Sequence, residues 1–217
     1  MAADYIDLHT HTLHSDGVLL PSELAVRAES IGYSTLGITD HVDSSNLESV
    51  AKRILEFAAS YNATESSLKI IPGVEITHVQ PREIADIVTE ARAYGVKLIV
   101  LHGETIVEPV IKGTNMAAIR ARVDILAHPG LITDEECELA KSNNVALEIT
   151  TRRGHSLTNG HVALMAKRHE VALVLNTDAH APGDLATEEF ARSVAMGAGI
   201  YDFKGLMDNA KRLIEGL

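Results

Sequence analysis

Short apolar or β-branched runs recur along the chain, and the stretches between them carry apolar residues at helical spacing. Residues 5–8, 35–39, 69–76, 97–101, 125–127, 146–149 and 172–176 read as strands. Helical spacing covers residues 21–31, 47–61, 81–93, 116–122, 134–141, 157–169, 188–196 and 203–214. Caps are expected near Ser22 and Asp134. Gly32, Gly95 and Gly197 follow helical stretches, where a residue in the left-handed region ends a helix with little strain. Strict alternation with short links predicts a parallel sheet, and Leu98-Ile99-Val100-Leu101 is apolar without a break, as expected of a strand covered on both faces. The pattern predicts an α/β fold, a closed or nearly closed barrel of seven βα units, with an open doubly wound sheet as the alternative. No linker, low-complexity segment or further repeat interrupts residues 1–217, which read as one domain. Residues 103–115 fit neither period and are expected to form a loop over the mouth of the barrel.

With 46% hydrophobic residues over 217 positions, the chain can bury a sizeable core. No apolar run approaches the roughly 20 residues of a membrane span, and the N-terminus lacks the basic and apolar segments of a signal peptide. A cytoplasmic protein with no membrane partner is expected. The one cysteine, Cys137, lies in Asp134-Glu135-Glu136-Cys137-Glu138, where carboxylates should raise its pKa, so it is expected to be inert. Nineteen basic against 30 acidic residues give a net charge of −11, which repels polyphosphate backbones and makes nucleic acid an unlikely partner. Nothing in the sequence fixes an oligomeric state. Histidine numbers 11, tryptophan is absent and aromatics make up 4%. The information therefore lies in the histidines.

The residue that ends each strand carries the chemistry. His9 and His11 follow the first strand and Asp40-His41 the second. Glu75 lies in the third, His102 follows the fourth, His128 the fifth, and Asp178-Ala179-His180 the seventh. Only the sixth strand, ending at Glu148-Ile149-Thr150, lacks a histidine. In a parallel barrel these ends converge on one face, which is where such barrels carry catalysis. Side chains two apart on a strand point the same way, so His9 with His11, and Asp178 with His180, can each aim a pair at one centre. A lone histidine at a strand end is usually a solvated or capping residue; recurrence around the barrel is not explained that way. Imidazole nitrogen combined with carboxylate oxygen suits zinc, manganese or iron, and does not suit calcium or a bare magnesium site.

At this point the sequence resembles the polymerase and histidinol phosphatase (PHP) family. The matching motifs are Asp7-Leu8-His9-Thr10-His11 with Ser15-Asp16-Gly17, Ile38-Thr39-Asp40-His41, Gly73-Val74-Glu75, Leu101-His102-Gly103-Glu104, Ala127-His128-Pro129-Gly130 and Thr177-Asp178-Ala179-His180. Each is weak alone, and their joint order is specific. The resemblance implies a distorted (β/α)7 TIM-like barrel and a centre of two or three divalent metal ions. One metal would take His9, His11, Glu75 and Asp178. A second would share Glu75 and add His102 and His128, and a third would take Asp16, His41 and His180. All these positions hold the expected residue type. Glu75, Asp178 and His180 are assigned to the catalytic group. Asp7 and Asp40 are read as carboxylates that orient imidazole N–H groups, with simple salt bridges as the alternative.

Arg152 and Arg153 follow the sixth strand, the one end without a ligand, and are expected to bind substrate phosphate, since arginine matches its oxygens bidentately. His155 is placed with them, against the plain reading of a loop histidine. His161 and His169 read as surface or cap residues, while His14 and His78 lie near the mouth without belonging to a motif. The function implied is a metal-dependent phosphoesterase acting on a small phosphomonoester, resembling histidinol phosphatase. Two alternatives remain open. Amidohydrolase-type metal hydrolases also begin with a histidine pair, but usually need eight strands and often a carbamylated lysine, whereas Lys97 lies at the wrong end of its strand. The barrel subunit of ribonuclease P binds RNA and keeps few or no ligands, whereas this chain is acidic and keeps them all.

Overall fold

Every strand pairing in the computed structural model, which describes residues 5–217, is parallel. The strands are β1 (Tyr5–Asp7), β2 (Tyr33–Ile38), β3 (His41–Val42), β4 (Lys69–Ile76), β5 (Leu98–His102), β6 (Ile125–Ala127), β7 (Ala146–Thr150) and β8 (Leu173–Asn176). The helices are α1 (Pro21–Ser30), α2 (Leu47–Asn62), α3 (Ile84–Ala93), α4 (Thr114–Arg120), α5 (Asp134–Asn143), α6 (Asn159–His169), α7 (Glu188–Gly197) and α8 (Phe203–Glu215). Short 3₁₀ turns, Pro81–Glu83 and His155–Thr158, lead into α3 and α6, which the sequence pattern had merged with the helices themselves.

The strands run in the order β1-β2-β4-β5-β6-β7-β8. β3 is the strand that periodicity did not predict. It continues β2 after an interruption, because Ile38 pairs with Pro72 and His41 with Glu75, the same register on both sides of the gap. At the gap Thr39 donates its N–H to Thr10 O and Asp40 O accepts from Glu75 N, so the local backbone is tied to both neighbours. The expected seven βα units thus stand, with one strand broken.

Closure occurs above the strands. Asp178 N donates to His9 O and His11 N to Ala179 O, each at 2.9 Å, and Thr10 pairs with Ala179 as an isolated parallel bridge. The segments that close the barrel are therefore those that carry His9, His11, Asp178 and His180. On its other flank the same segment is approached by β2 at a glycine: a Cβ on Gly37 would lie 2.6 Å from Leu8 O. Lower down, α8 packs across β1 and β8, with Phe203 and Tyr5 ring centroids 6.2 Å apart.

β5 and β7 are buried at every residue, as expected of strands covered on both faces. Thr133 caps α5 directly before Asp134, where a cap is expected. Its Oγ1 accepts from Glu136 N, and its own N–H donates to Glu136 Oε2, a capping box. The cap expected near Ser22 is absent: α1 begins on Pro21 after Leu20, with no side-chain cap. Gly32 and Gly95 end their helices at φ 99° and 90° as expected, whereas Gly197 stays helical and Gly199 takes the left-handed position. No helix among the described residues is long and apolar enough to cross a membrane.

Candidate metal centre

The period of two along the extended chain puts His9 and His11 on the same side, facing Glu75 and Asp178. His9 Nε2 lies 3.3 Å from Glu75 Oε1 and 3.7 Å from Asp178 Oδ1; His11 Nε2 lies 3.5 Å from Glu75 Oε2 and 3.2 Å from Asp178 Oδ1. All four side chains are buried. Yet His9 Nε2, both ring nitrogens of His11 and Glu75 Oε1 have no hydrogen-bond partner. A buried polar atom left unsatisfied costs about 1–3 kcal/mol. Several such atoms meeting at one point fit a shared cation that would satisfy them together.

Three further groups among the described residues surround this one, one of them His78, His102 and Glu108 at the rim. His102, His128 and His155 bring ring nitrogens within 4.8 Å of one another, as do His11, Asp16, His41 and His180 with their own ligand atoms. His128 Nε2 lies 3.8 Å from Glu75 Oε1, and His41 Nδ1 lies 2.7 Å from Glu75 Oε2. The two oxygens of Glu75 therefore face different groups, the disposition that a bridging carboxylate needs. Asp16 Oδ1 stands 3.4 Å from His41 Nε2 and 3.1 Å from His180 Nε2. His128 and Asp178 hold φ of 28° and 53°, unfavourable for residues with a Cβ. His128 follows directly on β6 and Asp178 stands two residues past β8, and this backbone conformation turns their side chains toward the centre.

Protonation follows the surroundings. Burial holds the His11 imidazole down at about 4 and that of His128 well below its ordinary value, so both are neutral as ligands must be. At His9 burial acts the same way, but Glu148, Glu75 and Asp178 outweigh it and raise the pKa well above normal. Three carboxylates thus call for positive charge where a cation would supply it. Burial alone would raise Glu75, and His9 and His41 overcome it, holding the carboxyl well below the usual range.

The structure corrects the roles expected of Asp7 and Asp40. Asp7 accepts from the backbone N–H groups of His9 and Thr177 and from Thr177 Oγ1. Asp40 accepts from Thr12 N, Thr12 Oγ1 and Ser15 Oγ. Both organise the backbone beneath the ligands, and neither bonds an imidazole. That task falls to Glu148, whose Oε2 accepts from His9 Nδ1 at 2.7 Å and from Asn176 Nδ2 at 2.9 Å. Glu148 lay unassigned at the end of an apolar strand; a carboxylate inside such a run was the signal. His180 Nδ1 lies 2.9 Å from both Asp178 O and Arg152 Nη1, and its Nε2 faces Asp16 Oδ1 at 3.1 Å.

Of the two arginines, Arg152 enters the mouth. Its Nε lies 3.4 Å from Asp178 Oδ2 and its Nη1 donates to Asp178 O. Arg153 is exposed and does not line the cavity. His155 is buried, stacks on His128 with centroids 4.1 Å apart, and holds Thr105 Oγ1 at 2.8 Å through Nδ1. It belongs to the cluster more than to the loop. His78 sits at the rim against His102, His161 bonds Ile132 O, and His169 pairs with Asp134. The mouth forms a cavity of about 430 Å³ whose lining includes Asp16, His41, His102, Glu108, Arg152 and His180. A larger groove, about 960 Å³, lies in the helical layer between α5, α6 and α8, and none of the candidate residues lines it.

Comparison with known proteins adds lineage to this geometry. The sequence profile of the PHP domain matches residues 7–171. An uncharacterized protein of Methanocaldococcus jannaschii is 44% identical over 195 residues, covering 89% of each chain. A chain in the cryo-EM structure of archaeal ribonuclease P with mature tRNA superposes at a TM-score of 0.72 with 19% identity, over 97% of this chain and 90% of that one. Histidinol phosphate phosphatase of Lactococcus lactis, complexed with zinc, L-histidinol and phosphate, superposes at 0.63 with 18% identity, over 91% and 94%. At these identities the two structural likenesses speak for the fold.

Proposed function

Because this chain belongs to the PHP domain family, we propose that it is a metal-dependent phosphoesterase acting on a small phosphomonoester, with residues 1–217 serving as one functional unit. The observation that carries the reading is the convergence of nine histidines and carboxylates on one barrel end, where His9 Nε2, His11 Nε2 and Glu75 Oε1 are buried without hydrogen-bond partners. His9, His11, Glu75 and Asp178 would hold one ion, His102 and His128 with Glu75 a second, and Asp16, His41 and His180 a third. The donor set admits zinc, manganese or iron. Such ions, when bound, supply Lewis acidity toward phosphate oxygens and a nucleophilic water at neutral pH.

The protein's own residues do the rest. Glu75 joins the groups through its two oxygens, Glu148 fixes the His9 tautomer, and Asp7 and Asp40 hold the ligand-bearing backbone. Arg152 stands at the mouth, where its guanidinium can take a phosphate oxygen and align the ester over the centre. With a net charge of −11, this local positive charge would favour entry of a phosphate dianion.

The test is hydrolysis of p-nitrophenyl phosphate and a panel of phosphorylated metabolites after reconstitution with manganese, zinc or iron, with metal content measured on the same preparation. Hydrolysis that chelation abolishes and metal restores is expected. Metal-loaded protein inert toward every phosphomonoester would sink the reading. The likeness to a ribonuclease P chain favours a second one, RNA binding without catalysis; a mobility shift with structured RNA and no hydrolysis would select it. The amidohydrolase alternative has less support, because Lys97 is exposed just before β5, at the far end of the barrel.

A further inference from the structure

Glu108 lies outside every motif, on the loop between β5 and α4, yet its carboxylate faces three histidines. Its Oε2 lies 3.0 Å from His102 Nε2 and 3.8 Å from His78 Nε2, and its Oε1 lies 3.5 Å from His155 Nε2. Its side chain is 41% exposed, in contrast to the fully buried Glu75. The loop is built to position it. At the base, Glu104 Oε1 accepts from Gly113 N and Asn115 N, while Asn115 Oδ1 accepts from Glu104 N. Gly130, at φ 65°, allows this base to sit against the turn after β6, since a Cβ there would lie 1.9 Å from Glu104 O.

The tip is a different matter. Ile106, Val107 and Ile111 are 55%, 43% and 40% exposed, so little apolar burial holds the tip down. Segments with few buried contacts open at low free-energy cost. The side-chain polar contacts of the tip, among the described residues, are those of Glu108. Glu108 also shares the cavity with Arg152. A carboxylate and a phosphate oxygen are both hard anionic ligands, so an anion drawn in by Arg152 and Glu108 must compete for the same cationic neighbourhood.

We propose that Glu108 is a hinged ligand: in the resting protein its carboxylate joins His102 on the metal ion that His102 helps to hold, and an incoming phosphate oxyanion displaces it. The loop is thereby closed over the centre until substrate exchanges one oxygen ligand for another, with no change in oxidation state. Chemically the occupant is a phosphomonoester dianion or orthophosphate. This rests on the phosphoesterase reading.

Cobalt reconstitution tests it. Apoprotein of wild type, Glu108→Gln and Glu108→Ala is loaded with Co²⁺, and the visible ligand-field spectrum is followed during titration with inorganic phosphate. Phosphate should alter the wild-type spectrum. Both variants should differ from wild type before phosphate is added, lose one Co²⁺ about tenfold more readily to a chelator, and bind phosphate about tenfold more tightly because the competitor is gone. Wild-type spectrum, cobalt retention and phosphate affinity within about two-fold in both variants would overturn the proposal. Protein that binds cobalt with these variant effects but hydrolyses no phosphomonoester would remove the phosphoesterase reading and keep the hinged ligand. Wild-type protein that binds no cobalt would remove both.

Discussion

Glu148 Oε2 accepts the Nδ1 proton of His9 at 2.7 Å, and both side chains are fully buried. A carboxylate can only accept, so the bond fixes the tautomer and leaves His9 Nε2 as the ligand atom facing Glu75 and Asp178. Glu148→Gln should keep the fold and weaken metal affinity by about 10–100-fold, the usual effect of losing such a partner. Glu148→Ala should also lower stability, since it strips His9 Nδ1 and Asn176 Nδ2 of their acceptor at about 1–3 kcal/mol each. Competitive chelator titration and thermal denaturation decide both; affinity within two-fold of wild type in Glu148→Gln would exclude the orienting role.

Glu75→Gln should cost more activity than His41→Ala. The first removes charge from a carboxylate whose two oxygens face His9 and His128 on one side and His11 and His41 on the other. The second removes one ligand from the outer group. Metal content should fall further in Glu75→Gln, measured by elemental analysis beside the assay. An equal or smaller loss than in His41→Ala would count against bridging.

The histidines gathered at the barrel mouth were legible because metal chemistry favours particular side chains at strand ends, and strand ends follow from hydrophobic periodicity. His9, His11, His41, His102, His128 and His180 could be placed this way. Glu148 was not, because its role depends on the ring orientation of a residue 139 positions away. Glu108 lies in a loop, where no period relates sequence to direction. β3 escaped because two residues carry no pattern, and its register with β4 is inherited from β2. Asp7 stands close before the histidine pair, the ground for expecting an imidazole partner; the backbone of Thr177 reaches it instead, through a closure that only the folded barrel creates.

Removing metal should destabilise the protein. A ligand present at 100 times its dissociation constant contributes about 2.7 kcal/mol to folding, and in a domain of this size 1 kcal/mol shifts Tm by about 2–4 °C. Chelation should therefore lower Tm by at least roughly 5 °C, and zinc or manganese should restore it. An unchanged Tm in a chelator that strips all metal would argue that the buried polar atoms are satisfied without it.

Cys137 should resist alkylation in the native state. Burial raises its thiol to about 11, and Glu136 and Asp134 add to the shift. The carboxylates read from the sequence thus contribute, but burial is the larger cause. At pH 8 about a thousandth of such a thiol is thiolate, before its inaccessibility slows reaction further. The rate should rise about tenfold per pH unit up to about 11, and denaturant should abolish the protection. Rapid native labelling by iodoacetamide at pH 8 would contradict this environment.

Arg152 and Arg153 should separate cleanly. They are neighbours in sequence, but Arg152 lines the mouth with its Nε 3.4 Å from Asp178 Oδ2, while Arg153 is exposed outside it. A charge-assisted contact to phosphate is worth about 1.5–3 kcal/mol, roughly a ten-fold to hundred-fold change in affinity. Arg152→Ala should therefore lower kcat/KM by about that factor, and Arg153→Ala by less than about two-fold. Lysine at position 152 should restore only part, because a point charge does not reproduce the guanidinium fork. Arg152 Nη1 also donates to Asp178 O and lies 2.9 Å from His180 Nδ1, so metal content must be measured on each variant. Unchanged metal with reduced kcat/KM assigns Arg152 to phosphate recognition; metal lost in parallel with activity would make it a positioning residue for His180 and Asp178 instead.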